Sequence, residues 1–186
     1  AIPGEKVKAR ITKAGKHFTR ADAIEVLVPS EDRVKPKCKH ASVCGGCDFQ
    51  HISLERQRLL KADIVRDQFL NVGGIDIGEN FKVNAVEPSN GLQYRTQMEF
   101  KIDRNGKLGL MKSKSNQIVP LSDCKLAHPK MNINYLTKKY WAKPISKYQK
   151  VEPGSEPTVN VAISSDGLRS IEVNGQLVNG TKKIQQ

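Results

Sequence analysis

Cys38, Cys44 and Cys47 stand close together in the run Lys37-Cys38-Lys39-His40-Ala41-Ser42-Val43-Cys44-Gly45-Gly46-Cys47, and Cys124 lies 77 positions after the last of them. The chain holds no other thiol. Three clustered sulfurs and one distant sulfur point to a four-ligand metal site that closes as the chain folds, so that metal binding and folding are coupled. Gly45 and Gly46 let the backbone turn tightly around an ion or cluster, because glycine tolerates positive φ. Thiolates select zinc, copper(I) or iron–sulfur centres among biological metals.

Disulfides are the competing account, and four cysteines allow three pairings. The first residues, Ala1-Ile2-Pro3-Gly4-Glu5, carry no apolar stretch of the signal-peptide kind. Clustered cysteines in a cytoplasmic chain serve metals or catalysis more often than disulfides, so a cytoplasmic metal site is expected. Zinc sites often use two C-x2-C knuckles, whereas only Cys44 and Cys47 form one here. Bacterial ferredoxin runs are spaced differently again. Spacing alone leaves zinc and iron–sulfur both open.

Other chemistry is sparse. The histidines His17, His40, His51 and His128 are scattered. His40 and His51 flank the cysteine loop and read as supporting hydrogen-bond donors or plain loop residues before they read as ligands, since no His-ligand spacing is present. No G-x-G-x-x-G opens a helix and no P-loop occurs. A metal site would consume every thiol, leaving no cysteine nucleophile, so no catalytic residue is assigned.

The net charge of +12 and a pI near 9.6 point to a polyanionic partner. Residues 91–150 hold 13 Lys/Arg against three acids, Glu99, Asp103 and Asp123, a net +10. Clustering of this kind is the electrostatic footprint of phosphate binding. Arg95, Lys101, Arg104, Lys107, Lys112, Lys114 and Lys125 are the candidate RNA contacts. No run approaches the ~18 apolar residues of a membrane span.

These residues need elements to hold them. Alternation predicts strands at Lys6–Ile11 and Ala23–Val28, with a turn at Gly15-Lys16-His17. Ser53 is positioned to cap a helix running to about Val72, with Leu60, Ile64, Val65, Phe69 and Val72 on a core face and Gly73-Gly74 ending it. Strands are expected at 81–86, 94–102 and 107–111, the last two joined by an Asn105-Gly106 hairpin turn. Gln117–Leu121 leads to Cys124. A second helix is expected over 129–141, a loop over 143–157, and a closing hairpin from Thr158 to Val173.

At this point the residues meet a family. The pattern Cys38-x5-Cys44-Gly45-Gly46-Cys47 through Gln50-His51, with Gln57 and Lys61 on the next helix, resembles the iron–sulfur segment of RNA (uracil-5-)-methyltransferases of the RumA type. Tyr94-Arg95 to Phe100, Leu108-Gly109-Leu110 and Ile118 to Cys124 resemble later parts of the same segment. Ile2-Pro3-Gly4-Glu5 and the stretch Pro29 to Cys38 resemble the rear of a TRAM domain, an OB-like RNA-binding barrel.

The resemblance implies an α+β chain: a partial OB-like TRAM β-barrel at 1–34, a cysteine loop at 35–50, a helix at 51–74, and a central domain at 75–186. It implies a 4Fe–4S cluster on Cys38, Cys44, Cys47 and Cys124, with zinc as the alternative. It further implies a parent enzyme that forms 5-methyluridine in 23S ribosomal RNA. There S-adenosylmethionine gives the methyl group, after a thiolate adds to C6 of a flipped base. The family's catalytic cysteine, its base and its S-adenosylmethionine domain have no match here, so an inactive, monomeric RNA-holding piece is expected. Outside that family, a zinc-bound, non-enzymatic ribosomal RNA-binding module is the runner-up, and an electron-transfer ferredoxin fits the charge poorly.

Overall fold

The computed structural model describes residues 1–16, 18–78, 90–139, 141 and 157–178. They divide into two compact units, one made of residues 1–36 with 49–78, the other of 37–48 with the described residues from 90 onward. The strand expected at 81–86 and nearly all of the loop at 143–157 lie outside the described residues.

In the first unit, β1 (Lys6–Ala14) pairs antiparallel with β2 (Thr19–Val28), Val7 opposite Val26 and Ala9 opposite Ala23. Both strands run longer than their alternating cores predict, because ladder hydrogen bonds extend past the patterned residues. The sheet is two-stranded, and Ile11, Ile24 and Leu27 on it are exposed. No closed barrel is present among the described residues, so the partial barrel is reduced here to one ribbon. A clasp holds its base: Glu5 accepts hydrogen bonds from Arg33 Nε and Nη2, from Ile2 N and from Ser30 N.

α1 (Leu54–Asn71) starts where the sequence places it. Ser53 Oγ accepts from Arg56 N at 3.3 Å and donates to Asp32 at 3.0 Å, satisfying one of the helix's open N–H groups. Gly74, at φ 65°, takes the left-handed turn that ends it. The expected core face is a correction. Ala62 is the buried residue of α1, while Ile64, Phe69 and Val72 are exposed. Periodicity reports that one face is apolar, not what covers it.

The second unit is built on an antiparallel sheet of β3 (Gln97–Ile102), β4 (Leu108–Met111), β5 (Ile118–Pro120), β6 (Thr158–Ile163), β7 (Arg169–Val173) and β8 (Gln176–Leu177), in the order β5-β4-β3-β6-β7-β8. Alternation puts Met98, Phe100 and Ile102 on the core face and Gln97 and Glu99 outward. Register stacks Phe100 against Val159 and Val173, and Met98 against Val161 and Ile171. The β3–β4 turn forms as expected: Asp103 Oδ1 accepts from Asn105 N and Lys107 N, and Gly106 sits at φ 70°.

The single helix expected at 129–141 is instead a 3-10 turn, Pro129–Met131, followed by α2, Ile133–Lys138. Asn132 breaks it at φ 54°, a left-handed conformation that asparagine tolerates. Its side chain then accepts from Tyr135 N and caps α2. Trp141 is fully buried, with Nε1 donating to Leu136 O at 2.9 Å.

Candidate metal centre and basic face

The cysteine loop is anchored to the end of β4. Gly45 N donates to Met111 O at 2.8 Å, Ser113 N donates to Val43 O at 3.3 Å, and Cys44 faces Lys112 as an isolated antiparallel pair. Gly45 is required by space: a Cβ there would lie 2.9 Å from Met111 O and 3.1 Å from Ser113 N. Within the loop, Val43 N and Cys44 N both donate to His40 O, at 3.0 and 2.8 Å, making a tight turn that carries Cys44 inward. Cys44 is buried in the core of the unit, against which Leu110 and Cys124 also pack.

The segment around Cys124 is set from two sides. Leu121 N donates to Leu108 O at 3.0 Å, continuing the sheet beyond β5. Residues 93–95 then run parallel to 125–128: Gln93 N donates to Lys125 O, Arg95 N to Leu126 O, and His128 N to Arg95 O. His40 Nε2 reaches across from the cysteine loop to Ser122, 3.1 Å from its Oγ and 3.3 Å from its N.

Burial pushes the Cys44 thiol up, and the Gly46 N–H at 3.4 Å from its sulfur counters this. Cys124 and Cys38 raise it further and Arg95 lowers it, so these groups share one electrostatic neighbourhood. All four cysteines are free thiols, and no disulfide links them. Among the described residues, no group of three or more His, Cys, Asp or Glu side chains is gathered into a ready-made ligand cage. The described loop and Cys124 thus share a unit without converging on a point.

The candidate RNA contacts spread over that same unit. Arg104 and Lys107 are exposed on either side of the Asn105-Gly106 turn. Lys112 and Lys114 are exposed beside the anchored loop, Lys114 at φ 54°. Lys101 lies on the outward face of β3, 3.1 Å from Glu99. Lys125 pairs with Asp123 at 2.6 Å, and that partner holds the Asp123 carboxyl below its usual range. Arg95 is half-buried, but the neighbouring Tyr94 is exposed. The His40–Ser122 link and the parallel pairing of Arg95 with Ala127 have no local sequence signal, since both join residues far apart in the chain.

No helix among the described residues is long and apolar enough to cross a membrane. No protein-family model matches the chain. It is 37% identical over 138 residues to an uncharacterized RNA methyltransferase of Streptomyces coelicolor, covering 68% of this chain and 30% of that protein. It is 36% identical over 134 residues to the 23S rRNA (uracil(1939)-C(5))-methyltransferase RlmD of Halomonas elongata, covering 71% of this chain and 27% of that one. A Shewanella protein of the same name is 39% identical over 129 residues, covering 67% and 28%. The chain spans about a third of the length of the curated relatives it matches. Over some two-thirds of its own length or more, this chain is therefore similar to one portion of RNA methyltransferases, among them enzymes of 23S rRNA uracil-C5 methylation.

Proposed function

We propose that this chain is the RNA-recognition and iron–sulfur portion of an S-adenosylmethionine-dependent methyltransferase that forms 5-methyluridine in 23S rRNA. The observation that carries the reading is the similarity over most of the chain to proteins named as 23S rRNA (uracil(1939)-C(5))-methyltransferases. In this reading residues 1–34 are the rear of a TRAM domain, 35–50 the cysteine loop, 51–74 a helix, and 75–186 the central domain. S-adenosylmethionine supplies the methyl group to the whole enzyme, and no residue of this chain is assigned to bind it or to catalyse its transfer.

Cys38, Cys44, Cys47 and Cys124 would hold a 4Fe–4S cluster. The donor set fits: four thiols, three of them in one electrostatic neighbourhood, and a backbone N–H already donating to a cysteine sulfur, as at iron–sulfur sites. Like-charged thiolates repel one another, so gathering them draws on the metal's own binding energy. The cluster when bound supplies a cross-link between the loop at 38–47 and the chain at 124. Arg95, Lys101, Arg104, Lys107, Lys112, Lys114 and Lys125 would hold the RNA backbone around it, with single-stranded loops favoured because A-form major grooves hide base edges.

Anaerobic metal and sulfide analysis of the purified chain tests the centre. Iron and acid-labile sulfide in matching amounts, with broad visible absorption, are expected. Bound zinc without sulfide would replace the iron–sulfur reading with that of a zinc-bound RNA module.

A further inference from the structure

His40 touches both halves of the cysteine set. Its carbonyl oxygen accepts from Val43 N and Cys44 N, at 3.0 and 2.8 Å, and so shapes the turn that delivers Cys44. Its ring crosses 82 positions of sequence to Ser122, two residues before Cys124. The backbone N–H of Ser122 points at Nε2, so Nε2 is the accepting nitrogen and the Ser122 hydroxyl donates to it as well. Neutral imidazole with an accepting Nε2 carries its proton on Nδ1. Neither nitrogen then has a free lone pair, which removes His40 from the ligand candidates.

Nothing else in the loop reaches the stretch just ahead of Cys124 with so direct a bond. The loop's anchor at Met111 and Ser113 fixes Cys44 against β4, and the bond from Leu121 N to Leu108 O stops three residues short of Cys124. We infer that His40 is the positioning residue that ties the Cys124 segment to the cysteine loop, and thereby sets where the fourth thiolate enters the centre. The inference rests on the metal centre proposed above. It assigns His40 a role exerted through Cys124, not a place among the ligands.

Cobalt(II) titration of the 186-residue chain under anaerobic conditions tests it, with sulfur-to-cobalt charge-transfer absorption as the readout. Outer residues that orient metal ligands typically change affinity by 10–100-fold when removed. His40→Ala is expected to weaken cobalt binding by about 10-fold or more and to lower the charge-transfer intensity toward that of Cys124→Ser. His40→Gln keeps an accepting oxygen for Ser122 and should restore most of both. In a Cys124→Ser background, His40→Ala should change nothing further. Far-ultraviolet circular dichroism of each variant separates these effects from unfolding. A His40→Ala chain that stays folded and binds cobalt like the parent overturns the inference. So does an equal loss from His40→Ala with and without Cys124, which would mean a general effect on the loop. A parent chain that shows no thiolate–cobalt absorption at all would sink the proposed centre itself, and the role of His40 with it.

Discussion

Glu5 and Arg33, 28 residues apart, form a two-pronged ion pair, with Arg33 Nε on one carboxylate oxygen and Nη2 on the other at 2.7 Å. The Glu5 side chain is shielded from solvent, and its two oxygens also accept from Ile2 N and Ser30 N. Every acceptor position thus favours the ionised form, led by the Arg33 hydrogen bonds, and the carboxyl is held far below its usual range.

A pH dependence follows for the hairpin unit. A depressed folded-state pKa contributes stability that is complete above the unfolded value, about 4.5, and declines as pH falls below it. Glu5→Gln should lower the melting temperature at neutral pH. The gap between variant and parent should shrink steadily as pH drops below that of a free carboxylate. A gap that is constant from neutral to strongly acidic pH would show that the charge is irrelevant.

Crowding at Gly45 makes a second outcome specific. Gly45→Ala places a methyl group against the carbonyl of Met111 and the amide of Ser113. Overpacking of this kind costs about 1–3 kcal/mol, and here it should also lift the loop from β4. Faster reaction of Cys44 with a thiol reagent is expected. Unchanged Cys44 reactivity would mean the loop is held by something other than the Gly45–Met111 hydrogen bond.

Packing predicts a contrast between two apolar residues. Phe100 is wholly buried between Met98, Val159 and their neighbours, so Phe100→Ala should cost about 3–5 kcal/mol. Ile64 is about half exposed on α1, so Ile64→Ala should stay within about 0.5 kcal/mol. Denaturant unfolding of both variants reads this directly. A loss at Ile64 as large as that at Phe100 would restore the α1 face to the core.

RNA affinity should separate the basic residues of the second unit from general charge. Each lost phosphate contact should flatten the log–log salt slope by about 0.7 on single strands. Arg95→Glu is expected to remove one such step, and Lys112→Glu with Lys114→Glu about two. Lys182→Glu with Lys183→Glu is the control. Equal small losses in all three, with an unchanged slope, would reduce the basic segment to a solvated surface.

The sequence by itself determined the features whose cause is local. Ser53 caps α1, Gly74 ends it, and Asn105-Gly106 turns β3 into β4, because each depends on residues within a few positions. Alternation along 97–102 and 158–163 likewise identified the core-facing residues. The tertiary structure decided the rest, where a residue's role depends on a partner far along the chain. Arg95 pairs with Ala127 instead of starting β3, Asn132 splits the second helix, and α1 leaves its apolar stripe exposed. The cysteine spacing named the candidate ligands, but it could not say that His40 would meet Ser122 ahead of Cys124. Hydrogen bonds that close long loops leave no periodic mark on either segment they join.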